Sequence, residues 1–196
     1  PMLMIGQKFP QCTTGAVLPD GTIKNDFSIQ EYAKGKLCYV FFYPLDFTFV
    51  CPTELVAFHK AAAEFEKRGC RLVAVSVDSV YSHHAWRKMP LNQGGIGEVD
   101  YPMVSDIKRE ISTQLGILTP GAVTYRASYL LDQDGIVRHC TLNDLPLGRN
   151  VDEALRMVDA LKFFQDNGEV CPANWKQGAQ AIKPTQESVG KYLASH

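Results

Sequence analysis

"KLCYVFFYPLDFTFVCPTELVAFHKAAAEFEKRGCRLVAVSVDS", residues 36–79, holds two apolar runs separated by a helical pattern. The first run, "KLCYVFFYP" (36–44), is continuously apolar and ends at Pro44. An unbroken run of that length suits a strand covered on both faces. Residues 53–68, "TELVAFHKAAAEFEKR", place Leu55, Phe58, Ala62 and Phe65 on one helical face, and Gly69 follows where a helix ends. "CRLVAVSVDS" (70–79) is a second buried run. Strand, helix and strand in this order predict a βαβ unit, hence a parallel pair with a right-handed crossover.

The pattern continues outward from this unit. "SHHAWRKM" (82–89) reads as a short helix stopped by Pro90, "NQGGIGEVD" (92–100) as a glycine-rich loop, and "IKREISTQLG" (107–116) as a helix with a terminal glycine. "YRASYLLDQDGIVRHCTLN" (125–143) contains two strand-like runs around "DQDG", a hairpin signal. Residues 150–168 open with Asn150 as N-cap and Glu153 three places on. They continue through Leu155, Val158, Leu161 and Phe163 or Phe164 to Gly168. The remainder is an extended tail with a short last helix. This order predicts an α/β protein: a thioredoxin-like sandwich, with a central mixed β-sheet flanked by helices and a C-terminal tail. The expected organisation is a domain over 1–168 and an extension over 169–196.

Composition narrows the function classes. The 196 residues are 45% hydrophobic and 21% charged, as in a water-soluble globular chain. The net charge of -1, without a basic stripe, argues against nucleic acid as a partner. No apolar run approaches the roughly 20 residues of a membrane span. "PMLMIGQKFPQC" lacks the features of a signal peptide, so the expected location is the cytoplasm, where structural disulfides are rare.

The six cysteines are therefore read singly. No C-x-x-C pair occurs, which argues against a zinc site, and no metal or cofactor is expected. Cys38, Cys70 and Cys140 fall in strand-like runs, where a thiol serves as a small hydrophobe. Cys12 has no obvious partner. Only Cys51 and Cys171 precede a proline at an element boundary. Among other features, adjacent His83 and His84 point about 100° apart on a helix, so they read as a solvated surface pair rather than metal ligands. Trp86 and Trp175 read as packing residues. "GGIG" (94–97) lacks the context of a phosphate loop and reads as turn geometry. "SIQEYAKGK" (28–36) reads as a charged, solvated segment.

Cys51 sits at the predicted helix start, with Pro52 at the first helical position, where its missing N–H costs little. The reactive form of cysteine is the thiolate, and the exposed N–H groups of a helix start favour an anion. Thr48, three residues earlier, offers a hydroxyl near the sulfur, and Pro44 shields it from water. The full positive charge missing from this local set is best supplied by Arg126, at the start of the first hairpin strand. A lone cysteine at a strand end is more often packing, and position alone leaves packing and catalysis equally open.

"FYPLDFTFVCPTE" (42–54) resembles the peroxidatic motif of the typical 2-Cys peroxiredoxins, in the form P-x-x-x-T-x-x-C given by Pro44, Thr48 and Cys51. "EVCPANW" (169–175) resembles their resolving-cysteine motif, and the similarity runs from about Gly6 to the end, nearest the alkyl hydroperoxide reductase C type. The resemblance implies that Cys51 is the peroxidatic cysteine and Cys171 the resolving one. It implies that Thr48 and Arg126 activate the thiol, that Pro44 shields it, and that Glu54 orients the arginine. It also implies hydrogen peroxide and organic hydroperoxides as substrates, and thioredoxin or a flavoprotein disulfide reductase as electron donor. The assembly implied is a homodimer, in rings of dimers, with holdase activity as a secondary role. Three other classes of protein would need different features. A thioredoxin-like disulfide oxidoreductase would have a second cysteine in C-x-x-C spacing with Cys51, where Thr48 and Glu54 stand instead. A purely non-enzymatic scaffold would not depend on Cys51. A cysteine hydrolase would need a histidine base that the sequence does not place.

Overall fold

The computed structural model describes residues 4–196. The chain separates into two compact units, one reaching Val151 and the other Asp152–His196.

The first unit is built on a seven-stranded mixed sheet. Its strands are β1 (Thr13–Val17), β2 (Ile23–Ser28), β3 (Leu37–Phe42), β4 (Cys70–Ser76), β5 (Met103–Ser105), β6 (Arg126–Leu131) and β7 (Val137–Asn143). They lie in the order β2-β1-β5-β4-β3-β6-β7. β3, β4 and β5 run parallel, while β6 is antiparallel to both β3 and β7. Helices α1 (Ile29–Tyr32), α2 (Cys51–Lys67), α3 (Val80–Lys88) and α4 (Glu110–Leu115) connect them. The βαβ unit and the hairpin stand where the sequence puts them.

β3 explains the fold's centre. All six of its residues are buried, and alternate side chains meet different partners. Tyr39 and Phe41 face α2, where Phe41 stacks on Phe58 with centroids 4.1 Å apart, and Tyr39 lies 5.8 Å from both Phe58 and Phe65. Cys38, Val40 and Phe42 belong to a cluster with Phe9, Ile29, Ile111, Leu115 and Tyr129. A strand covered on both sides has no polar face, hence its continuous apolar run. Leu55, Phe58 and Phe65 are fully buried, as the α2 periodicity requires, and Gly69 takes the left-handed conformation (φ 66°) beyond its C-terminus.

Two readings change, and one hairpin is added that was not read from the sequence. The β1–β2 hairpin gives no apolar alternation, because the middle of β2 is solvent-exposed. "SIQEYAKGK" is not wholly solvated: Ser28 accepts from the Glu31 N–H to cap the one-turn α1, and Ile29 and Ala33 are buried. His83 is not a surface residue but fully buried, whereas His84 is half-buried. The glycine loop does serve geometry: Gly94 has φ 89°, and a Cβ on Gly95 would collide with the Met89 carbonyl.

The second unit holds α5 (Val151–Asn167) and α6 (Gln186–Ala194). Between them Val170 and Ile182 exchange backbone hydrogen bonds of 2.8 and 3.1 Å. Of the two phenylalanines offered for the α5 face, Phe163 packs on Trp175 and Phe164 is exposed.

Candidate active site

Parallel β3 delivers the chain, through Pro44 and the loop 43–50, to the start of α2. Cys51 is the first residue of that helix, so it precedes Pro52 inside the first turn. Val50 provides no side-chain cap. The N–H groups of this turn are therefore open to an anion at the Cys51 position. Cys51 is only 1% exposed.

β6 lies beside β3, and its first residue is Arg126. The Arg126 Nη1–H donates to Cys51 Sγ across 3.3 Å and to Glu54 Oε1 across 2.7 Å, while Nε donates to the Leu145 carbonyl across 2.7 Å. Glu54 is one turn after Cys51 on α2. It also accepts from Arg149: the backbone N–H and Nε reach Oε2 at 2.8 Å each, and Nη2 reaches Oε1 at 2.9 Å. Arg149 further donates to the Ala127 carbonyl and lies over the Phe41 ring. All three side chains are at most 4% exposed. Burial alone would raise the Glu54 carboxyl, but the hydrogen bonds and charge of Arg149, reinforced by Arg126, hold it below its ordinary value. The carboxylate thus fixes the guanidinium that faces the sulfur.

The structure brings Cys51, Glu54 and Arg126 together as the sequence suggests. Pro44 is buried at the end of β3. Thr48 is half-buried, and its hydroxyl donates to the Leu45 carbonyl across 2.7 Å. Its lone pairs remain the groups able to accept.

Two parts of the site are not legible in the motif. One is Arg149. The other is a buried network that holds the 43–50 loop. Tyr43 Oη–H donates to Asp46 Oδ1 (2.6 Å), and the Asp46 N–H donates to Asp78 Oδ2 (2.9 Å). His83 places Nδ1 2.7 Å from Asp46 Oδ2 and Nε2 3.1 Å from the Val104 carbonyl. Both ring nitrogens face acceptors, which suits the doubly protonated imidazolium. Burial would lower His83, but the Asp46 hydrogen bond and charge outweigh it and raise it above its ordinary value. The same loop carries Phe47 at φ 60°, a conformation uncommon for a bulky residue.

Cys171 lies in the second unit. Its thiol donates to the Ala160 carbonyl across 3.6 Å. Burial pushes the thiol up, and the charge of Arg156 opposes this only in part. All six cysteines are free thiols. Cys12, which had no obvious partner in the sequence, donates to Glu110 Oε2.

Fold and site together define a thioredoxin-like α/β protein with an arginine-paired cysteine at a helix start. The chain belongs to the AhpC/TSA family of thiol-dependent peroxidases, the peroxiredoxins, whose model matches residues 5–140. Residues 160–195 match the C-terminal domain of 1-Cys peroxiredoxin. The chain is 48% identical over 193 residues to alkyl hydroperoxide reductase C of Buchnera aphidicola subsp. Baizongia pistaciae, covering 98% of this chain and 97% of that one. It is 47% identical over 191 residues to peroxiredoxin-1 of Gallus gallus, covering 97% and 95%. A crystal structure of reduced 2-Cys peroxiredoxin from Plasmodium vivax superposes with a TM-score of 0.94 at 41% identity, covering 98% of this chain and 99% of that one.

Proposed function

We propose that Cys51 is the peroxidatic cysteine and Cys171 the resolving cysteine of this peroxidase. The observation that carries the reading is the Arg126 guanidinium, 3.3 Å from Cys51 Sγ and fixed by Glu54 at the first turn of α2. The Cys51 thiolate attacks one oxygen of hydrogen peroxide or an organic hydroperoxide in line with the O–O bond. Charge gathers on the leaving oxygen, which departs as hydroxide or alkoxide and is protonated to water or alcohol. Arg126 and the first-turn N–H groups stabilise that charge, an electrostatic arrangement prepared before reaction, while the Thr48 oxygen, its proton given to Leu45, accepts the O–H of the incoming peroxide. Pro44 shields the sulfur. Cys51 becomes a sulfenic acid, which condenses with the Cys171 thiol to a disulfide and water. An outside dithiol reduces the disulfide, so electrons balance with peroxide and thiols alone.

On the same reading the segment 169–196 is an extension that brings Cys171 to the partner chain of a head-to-tail homodimer, assembled in rings of dimers. The donor is thioredoxin or a flavoprotein disulfide reductase, and the location is the cytoplasm. Peroxide consumption with a thioredoxin system tests the reading: Cys51→Ser abolishes it. Retained turnover in Cys51→Ser would move the chemistry to another thiol.

A further inference from the structure

The segment carrying Cys171 rests on α5 through one stripe of that helix. Arg156, Ala160 and Phe163 stand at i, i+4 and i+7, so they share a face. The Phe163 ring lies 5.1 Å from the Trp175 ring, the Cys171 thiol donates to the Ala160 carbonyl, and Arg156 Nη1 donates to the Trp175 carbonyl across 2.7 Å. The segment is itself a closed excursion. Val170 and Ile182 pair at its ends, and the Trp175 N–H donates to the Pro172 carbonyl across a turn with Asn174 at φ 64°. Trp175 is 2% exposed, and its indole N–H donates to the Ala179 carbonyl.

Arg156 is prepared for its contact. Glu153, three residues before it, binds the guanidinium through both oxygens, at 2.6 and 2.8 Å. A planar fork fixed on one side by a carboxylate holds its remaining donor in one direction, here onto the backbone of the Cys171 segment.

We propose that Arg156 is a positioning residue for the second chemical step: its hydrogen bond to the Trp175 carbonyl latches the Cys171 segment to α5 and sets how fast Cys171 reaches the sulfenic acid. This rests on the assignment of Cys51 and Cys171 above. In that step the Cys171 sulfur attacks the Cys51 sulfenic sulfur. The S–S bond forms, the S–O bond breaks, and the oxygen leaves as water with the thiol proton. Cys171 is oxidised and the sulfenic sulfur reduced, both to the disulfide level. The competing fate consumes a second peroxide, oxidising Cys51 to sulfinic acid and reducing that peroxide to water or alcohol. A sulfur bonded to the α5 backbone must leave it before bonding to another sulfur, whereas the second peroxide needs no such release. The latch therefore sets the ratio of disulfide to sulfinic acid.

Two full-length variants test this. Arg156→Met keeps the aliphatic stem and removes the donor, and Arg156→Lys keeps the charge without the fork. Rapid mixing with hydrogen peroxide resolves sulfenic and disulfide formation as successive phases, and mass spectrometry gives the sulfinic fraction after graded turnover. Relative to the first phase, disulfide formation is expected to be about tenfold faster in Arg156→Met, the factor that loss of one charged hydrogen bond supplies. The effect is smaller in Arg156→Lys, and the sulfinic fraction falls in the same order. If Arg156→Met does not fold, Arg156→Lys carries the same test. A wild-type Cys51–Cys171 disulfide with an unchanged or slower second phase in the folded variants overturns the latch alone. Absence of that disulfide in the wild type overturns the assignment of Cys171 and the latch with it.

Discussion

Arg126 Nη1 lies between a sulfur and a carboxylate, and its two contacts predict separable effects of mutation. In Arg126→Ala, Glu54 keeps all three hydrogen bonds from Arg149. The stability cost is therefore about 1–3 kcal/mol, that of one charged partner. The donor facing Cys51 is gone, so the rate of sulfenic acid formation falls about 10²–10³-fold. Stopped-flow peroxide kinetics beside a urea melt measure both, and equal rates in the two proteins would remove Arg126 from the chemistry. Glu54→Gln behaves differently, because it leaves two buried guanidiniums without a counter-charge. It costs about 3–5 kcal/mol. The folded value of Glu54 lies below its ordinary one. Its contribution to stability is thus fully present above pH ~4.3 and is lost as pH falls through the lower folded value. The stability gap between wild type and Glu54→Gln must narrow in acid; a gap independent of pH would contradict the triad. Cys12 gives a contrasting case. Burial, then the hydrogen bond and charge of Glu110, push its thiol up to about 11. At pH 8 it alkylates slowly, and Glu110→Gln raises the rate severalfold; mapping of the labelled peptide would reveal an unchanged rate and refute this. Cys51, Glu54 and Arg126 were legible because the motif and the hairpin start name them. Arg149 was not, since nothing in "LGRN" signals that its side chain returns to α2.

The elements differ in how plainly they announce themselves. β3, β4 and α2 are buried on the faces their periodicity defines, and each was readable from residue order alone. β2 and the three-residue β5 were not: one is exposed through its middle, and the other is too short for a period. His83 misled for a related reason. Two adjacent histidines on a mostly polar helix look solvated, and only the approach of Asp46 and the Val104 carbonyl from other elements explains why one is buried. The pair makes a prediction about the element it holds, the 43–50 loop. His83 is raised in the folded state, so its contribution is fully present below pH ~6.5 and is lost as pH rises through the higher folded value. Thermal melts of wild type and His83→Gln should therefore converge as the solution is made alkaline. A difference that stays constant from pH 6 to 10 would mean that the charged pair contributes nothing. Phe58, stacked on Phe41, tests the α2–sheet contact. Phe58→Ala should cost about 3–5 kcal/mol by chemical denaturation, and a loss under about 1 kcal/mol would show that the stack is not central.

At the scale of the whole molecule, the proposed reading has the thiol of Cys51 in the first unit react with the thiol of Cys171 in the second. Cys51 and Cys171 are separated by 120 residues (171 − 51), a spacing that by itself permits a bond within one chain or between two. On the proposed reading the bond joins two chains. The oxidised protein then runs as a covalent dimer on a denaturing gel without reductant, and a monomeric band containing the full disulfide would place the bond within one chain. On the proposed reading Cys51 takes the oxidising equivalents and Cys171 receives them. This is tested most directly by adding one equivalent of hydrogen peroxide per reduced chain, blocking the remaining thiols, and mapping every cysteine by mass spectrometry. The expected product is a Cys51–Cys171 disulfide, with Cys12, Cys38, Cys70 and Cys140 all blocked as thiols. Oxidation centred on any of those four, with Cys51 still a thiol, would contradict that reading.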